Sequence, residues 1–181
     1  GAGIGIFSKW LSNCGNVVAT DIEDFHIKEL KKVLGQNDKA GYADIEKGTY
    51  FFTGKKFDNI VCLNVLEHIK NDDRALSNMF NLLKPQGKLI LLVPAHQFAF
   101  GTLDQEIDHF RRYKREDLIK KLKKLKFKIL SARYLNIPGL LGWFVNGKIL
   151  KRRIVSQIQL SIFDKFYTPF IKLEKLINLP I

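Results

Sequence analysis

Only two cysteines, Cys14 and Cys62, occur in 181 residues, and they fall in segments whose patterns read as a helix and a buried strand. This excludes a disulfide scaffold, and no metal ligand set is read from the sequence. A reducing, cytoplasmic setting is the expectation. Acidic residues are also scarce, 18 against 30 Lys and Arg, which leaves a formal charge of +12. Long apolar runs are missing as well. The most apolar stretch, Ile137 to Val145, falls far short of the ~20 residues that a membrane-spanning helix needs.

What is present is a globular composition, 46% hydrophobic and 27% charged, on a chain long enough to bury a core. The excess positive charge is uneven. Ten Lys and Arg lie between Arg111 and Lys128, against only Glu116 and Asp117. Such a face attracts nucleic acid, anionic lipid or an acidic substrate, but Lys120 to Lys126 reads more simply as a solvated helix face.

The chain is organised around Phe57 to Ile69, where a short apolar run breaks abruptly into Asn64 and then Glu67-His68. In an open parallel sheet ligands sit beyond the carboxyl ends of the strands, so a polar residue there faces the crevice. Upstream, Gly1, Gly3 and Gly5 precede Ile6, Phe7, Trp10 and Leu11 at helical spacing. Glycines before a helix let backbone approach a ligand closely. Their spacing fits G-x-G-x-G, whereas the dinucleotide fingerprint would need glycine in place of Ile6.

Asn16 to Thr20 reads as a strand closed by Asp21, followed by a helix from about Glu23 to Leu34 with Gly35 as its stop. Asp21 can accept both hydroxyls of a ribose, or cap that helix. A brief strand near Tyr42 ends at Asp44-Ile45. Asn71-Asp72-Asp73 caps a helix through Leu83 that carries Ala75, Leu76, Met79, Phe80 and Leu83 inward. Pro85-Gln86-Gly87 turns into a continuous apolar strand, Lys88 to Val93. Strands and helices alternating in this way predict β-α-β crossovers and a parallel sheet.

The order of these parts is a glycine loop, an acidic strand end, Phe57-Asp58 before a buried strand, Asn64-Val65-Leu66-Glu67-His68, then Leu83-Lys84-Pro85-Gln86-Gly87 before another strand. Over Gly1 to Tyr134 it resembles the class I S-adenosylmethionine-dependent methyltransferases. Val93-Pro94-Ala95, Gly101, Asp104, His109-Phe110-Arg111-Arg112-Tyr113, Leu118, Asn136-Ile137-Pro138-Gly139 and Gly142-Trp143 are similar to a microbial small-molecule subgroup. The resemblance implies an α/β, Rossmann-like parallel-sheet sandwich at 1–134 that binds S-adenosylmethionine, and a C-terminal helical lid at 135–181. It implies that Gly1, Gly3 and Gly5 surround the methionine and ribose, that Asp21, beside Ile22, holds the ribose, and that Asp44 and Ile45 meet the adenine. Asn64 and Val65 then lie near the sulfonium, and Glu67 lines the same mouth.

The family carries a strand ending in an acidic residue immediately before the glycine loop, at the centre of the sheet, whereas this sequence opens on the loop. Leu179-Pro180-Ile181 resembles a stretch that leads through a glycine into a final strand. The expectation is a piece of a longer protein, without its first and last strands.

Methyl transfer from a sulfonium is an in-line displacement, so positioning and water exclusion matter most. For a hydroxyl acceptor a neutral histidine is a suitable base. His109 is the first candidate, with His96 and His68 behind it; His26 reads as surface. Arg111 and Arg112 can offer planar forks to an anionic acceptor, beside Tyr113, or one of them can tie the loop to Asp104 or Asp108.

The acceptor expected is a small or lipid-linked molecule methylated at oxygen or carbon. Asn64-Val65-Leu66-Glu67 is not the Asn-Pro-Pro-Tyr signature of exocyclic amine methylation, which disfavours nucleic acid. Val155, Ile158, Ile162, Phe163, Phe166, Phe170, Leu173 and Ile177 form one stripe, broken at Pro169. Beside Lys148, Lys151, Arg152 and Arg153 it can cover the mouth or make peripheral contact with an anionic bilayer. The competing readings are an NAD(P)-dependent oxidoreductase or epimerase and a non-catalytic basic module that binds RNA. Ile6 and the lack of a Tyr-x-x-x-Lys pair speak against the first.

Overall fold

The computed structural model of the chain describes residues 1–159 together with 161, 163, 165 and 167. These form two compact units, one of Gly1–Leu66 with Asn71–Leu92, the other of Glu67–Lys70 with the residues from Val93 onward.

The first unit contains α1 (Ile6–Leu11), β1 (Val18–Asp21), α2 (Asp24–Val33), β2 (Lys39–Asp44), β3 (Thr49–Tyr50), β4 (Phe57–Leu63), α3 (Asp72–Leu82) and β5 (Leu83–Leu92). β1 and β2 pair in parallel, with Val18 opposite Lys39 and Asp21 opposite Tyr42. β3 adds to β2 as a short antiparallel strand. β4 and β5 form a second parallel pair, Ile60 opposite Leu89 and Leu63 opposite Leu92. A helix joins each parallel pair, as the alternating pattern predicts.

Local chemistry accounts for these boundaries. Asn71 Oδ1 accepts the Arg74 amide at 3.0 Å, which satisfies one of the free donors at the start of α3. Asp72 and Asp73 sit in the first turn, where the helix dipole favours negative charge. Ala75, Leu76 and Met79 are buried at helical spacing, and Ile27 and Leu30 do the same for α2. Phe80, expected inward, is 39% exposed. Its position lies roughly 90° around the helix from the midline of the buried stripe, on the shoulder of the face.

Three further expectations are corrected. The strands of this unit fall into two separate sheets among the described residues, not one. Pro85-Gln86-Gly87 does not end a turn ahead of a new strand. β5 passes through it with a register irregularity opposite Phe57 to Asn59, and Gln86 takes the left-handed φ of 66°. β5 also alternates, with Ile90 and Leu92 exposed while Leu89 and Leu91 are partly covered, so it is a one-sided strand despite its apolar sequence. Ile6, Phe7 and Trp10 of α1 are exposed as well, Trp10 at 65%.

The second unit contains α4 (Thr102–Glu106), α5 (Arg115–Lys124), α6 (Ile137–Trp143) and a π-helical stretch, Phe144–Ile149. The segment after β5 is bridged to Tyr113: His96 donates to the Tyr113 carbonyl and the Tyr113 amide donates to Pro94, each at 2.9 Å. α6 starts at Asn136, whose Oδ1 accepts the Gly139 amide at 2.8 Å, and Pro138 stands in the first turn, where its missing N–H costs nothing. No residue of α5 is buried, consistent with a solvated basic face. No helix among the described residues is long and apolar enough to cross a membrane. The stripe expected beyond Val155 lies largely outside the described residues: Ile162, Phe166, Phe170, Leu173 and Ile177 are not among them.

Candidate functional site

In the first unit the opening loop and the ends of β1 and β4 converge. A Cβ on Gly1 would lie 2.4 Å from Val65 Cγ2, so only glycine allows this approach of the loop to the end of β4. Gly5 has a φ of 91°, and a Cβ there would stand 2.7 Å from Val33 Cγ2 and 3.0 Å from Leu30 Cδ2. Gly5→Ala therefore combines a left-handed backbone with a clash. It is expected to destabilise the chain by about 2 kcal/mol, read as a lower thermal midpoint.

Asp21 is buried at the carboxyl end of β1. Its Oδ2 accepts the Gly3 amide at 2.9 Å, and its Oδ1 accepts the Glu23 amide at 3.1 Å and lies 3.2 Å from His26 Nδ1. Burial pushes the Asp21 carboxyl up, but hydrogen bonds from the Gly3 and Glu23 amides and from His26 pull it down, and it lies below the usual carboxylate range. Each carboxylate oxygen has two lone pairs, so Asp21 keeps acceptor capacity for hydroxyl groups while it fixes the loop.

Asp44 ends the neighbouring strand β2. Its Oδ1 accepts the Lys47 amide at 2.9 Å, and Lys47 Nζ lies 3.2 Å from its Oδ2. Ile45 offers its carbonyl to Asn78 Nδ2 at 2.7 Å, and Ile22 is exposed beside Asp21. Asn64 has a φ of 50°, with its amide tied to the Leu92 carbonyl at 2.8 Å. A strained non-glycine residue just past a strand end is a common mark of a functional turn.

Glu67 belongs to the second unit, with His68, His109, Arg111, Arg112 and Tyr113. There Asp104, fully buried, is the hub. Its Oδ1 receives Arg112 Nε at 2.7 Å and His109 Nδ1 at 2.9 Å, and its Oδ2 receives Trp143 Nε1 at 2.9 Å and the Gly101 amide at 3.0 Å. Burial would raise the Asp104 carboxyl, yet the bonds from His109, Trp143, Arg112 and Gly101 bring it down to about 2. Ionised, Asp104 can only accept, so His109 Nδ1 carries a hydrogen, and in the neutral ring Nε2 holds the lone pair.

The loop is latched to its neighbour. The Phe110 amide donates to the Glu67 carbonyl at 2.8 Å, and Arg111 Nη2 donates to the Lys70 carbonyl at 2.7 Å. Arg112 also donates to the Ala95 carbonyl, and its guanidinium lies 5.3 Å from the Trp143 ring centre. Arg112 is thus committed to Asp104, one of the two roles open in the sequence. Tyr113 is buried.

A protein-family model described as a methyltransferase domain matches residues 1–91, half of the chain. The chain belongs to this methyltransferase family. The methyltransferase match takes in the glycine loop, Asp21, Asp44 and Asn64-Val65 in full. The ubiquinone/menaquinone biosynthesis C-methyltransferase of Pasteurella multocida is 29% identical over 101 residues, covering 54% of this chain and 36% of that protein. The chain therefore spans about a third of the length of the curated relatives it matches. Among solved structures, a candidate methyltransferase from Bacillus halodurans aligns with a TM-score of 0.65 at 18% identity, over 95% of this chain and 79% of that one. The N-methyltransferase NodS from Bradyrhizobium japonicum, solved with S-adenosyl-L-homocysteine, aligns with a TM-score of 0.54 at 21% identity, over 68% and 61%. These structures establish a mixed α/β, Rossmann-like methyltransferase fold.

Two members of these clusters escape a sequence reading. His26, taken for surface, is the side-chain partner of Asp21; the available signal is its place in the first turns of α2, five residues after the carboxylate. Trp143 carries no local sign that its indole reaches Asp104, 39 residues away.

Proposed function

We propose that this chain is an S-adenosylmethionine-dependent methyltransferase of the small-molecule type, in the microbial subgroup marked by His109-x-Arg111-Arg112-Tyr113. The observation that carries the reading is Asp21, a buried carboxylate at a parallel strand end that grips the glycine loop through Gly3. Gly1, Gly3 and Gly5 then bound the methionine and ribose, Asp21 beside Ile22 takes the ribose hydroxyls, Asp44 and Ile45 serve the adenine, and Asn64 with Val65 lies toward the sulfonium. Glu67 serves the acceptor side, with the histidines. Residues 1–134 act as the cofactor-binding core, in the parallel-sheet arrangement of the class, and 135–181 as the lid on the acceptor side.

In the reaction the bond from methyl carbon to sulfur breaks, its electron pair stays on sulfur, and the acceptor oxygen or carbon forms the new bond and gives up a proton. His109 suits that proton. Asp104 holds its Nδ1, which leaves Nε2 as the basic atom. Arg111 and Arg112 stand as candidates for an anionic group on the acceptor, beside Tyr113, and the bonds of Arg112 to Asp104 and of Arg111 to the Lys70 carbonyl hold the loop in shape. The acceptor is a small or lipid-linked molecule methylated at carbon or oxygen, and the C-methyltransferase names of the curated relatives favour carbon. The basic, apolar C-terminal segment suits peripheral contact with an anionic bilayer in a cytoplasmic setting.

Calorimetric titration of the chain with S-adenosylhomocysteine, and separately with NADH, tests the class. Saturable heat at one equivalent is expected with the first and none with the second. The reverse pattern would overturn the assignment.

A further inference from the structure

The carboxylate of Glu67 is fully buried, yet neither of its oxygens has a hydrogen-bond partner among the described residues. Buried polar groups are almost always paired, and an uncompensated buried carboxylate is among the least favourable features a fold can hold. The nearby charges do not resolve it. Arg112 spends its Nε on Asp104 and an Nη on the Ala95 carbonyl, so those two opposite charges balance each other and Glu67 is left over.

What faces Glu67 sharpens the problem. His109 Nε2 stands 3.8 Å from Glu67 Oε1, and because Asp104 takes the hydrogen on Nδ1, the neutral ring presents a lone pair there. Two acceptors thus point at one another across a gap that calls for a cation. The His68 ring lies edge-on to the His109 ring at 4.5 Å. One ligand atom from each of Glu67, His68 and His109 lies within 4.8 Å of the other two.

We infer that Glu67, His68 and His109 form a binding site for a divalent transition-metal cation. Two imidazoles and one carboxylate are the donor set of borderline metals such as zinc, cobalt, iron(II) or manganese. Ligand atoms about 2.0–2.2 Å from a common ion lie about 3–4 Å apart, close to the observed spacing. Asp104 supplies the outer support typical of such sites: a histidine ligand gives its second nitrogen to a carboxylate, which fixes the ring and its tautomer. Three protein ligands leave coordination positions open, and exposed His68 marks the side from which they are reached. The ligand class for those positions is a hydroxyl or carbonyl oxygen, and a hydroxyl bound there ionises near neutral pH. The cation site stands without the methyl-transfer reading; only the equation of that oxygen with the acceptor's rests on it, and there a cation bound at His109 Nε2 replaces that atom as base by making the bound hydroxyl itself more acidic.

The test is titration of the full chain with Co²⁺, followed by its visible absorption, and with Zn²⁺ by calorimetry. One equivalent of each is expected to bind, with visible bands that include imidazole ligation. His68→Ala removes an exposed ligand and should leave the fold intact by circular dichroism. It is expected to weaken Co²⁺ binding by about tenfold or more, and Glu67→Gln, isosteric but uncharged, by about 100-fold. No saturable binding, or equal binding by the wild type and the Glu67→Gln/His68→Ala variant, overturns the site and leaves a shared proton between Glu67 and His109 as the means of balancing the charge. Binding of S-adenosylhomocysteine is measured in parallel: its loss in the wild type with Co²⁺ binding retained would sink the methyltransferase reading and spare the cation site.

Discussion

Asp21→Ala is expected to weaken S-adenosylhomocysteine binding by about 100-fold. The two ribose hydroxyls would donate to an ionised carboxylate, and such bonds contribute about 1.5–3 kcal/mol each, of which about 1.4 kcal/mol is tenfold in affinity. The variant also frees the Gly3 and Glu23 amides, which now share that carboxylate. Asp21→Asn is the intermediate case. It keeps one carbonyl oxygen but loses the charge and turns a donor toward one of the two amides, so its affinity and its thermal midpoint should both fall between wild type and alanine. Calorimetry and thermal melts of the three proteins decide. An alanine variant that binds like wild type would remove Asp21 from the cofactor site.

Asp104→Asn is expected to cost about 3–5 kcal/mol of stability, because it strands the buried Arg112 guanidinium without its counter-charge. For a chain of this size that corresponds to a drop of about 10 °C or more in thermal midpoint. The effect depends on pH with a definite sign. The Asp104 carboxyl titrates at about 2 in the folded chain against 3.8 as the ordinary value, so the folded state favours the ionised form. Its contribution is complete above pH 3.8 and disappears as pH falls toward 2. The shift amounts to about 2 kcal/mol, at about 1.4 kcal/mol per pH unit. The gap in midpoint between wild type and Asp104→Asn should therefore be widest above pH 4 and close progressively below it, roughly over the two units beneath. A gap that stays constant down to pH 2 would mean that the asparagine acts through packing and not through charge.

The features legible in the sequence are those in which the deciding partners are neighbours along the chain. Asn71 caps α3 because the amide it needs is three residues on, and Asp21 ends β1 because the apolar run stops there. The glycine loop was readable from spacing, since the left-handed backbone at Gly5 excludes most other residues. What stayed hidden depends on distant partners. Asp104 draws on His109, Arg112 and Trp143, the last of them 39 residues away, and no periodicity encodes that convergence. The division of β1 to β5 into two sheets was equally invisible, because strand content follows from composition whereas pairing follows from tertiary contacts. Phe80 and Ile90 show the same limit: apolar residues at plausible positions that this arrangement leaves in solvent.

The bond between Asp21 and Gly3 has a consequence for how a nucleoside is captured. The carboxylate surrenders most of its water when the chain folds, and the loop is already drawn into place by it. An arriving ligand would settle onto a frame set beforehand, so the dehydration and ordering that usually blunt affinity have been met by the stability of β1 and its neighbours.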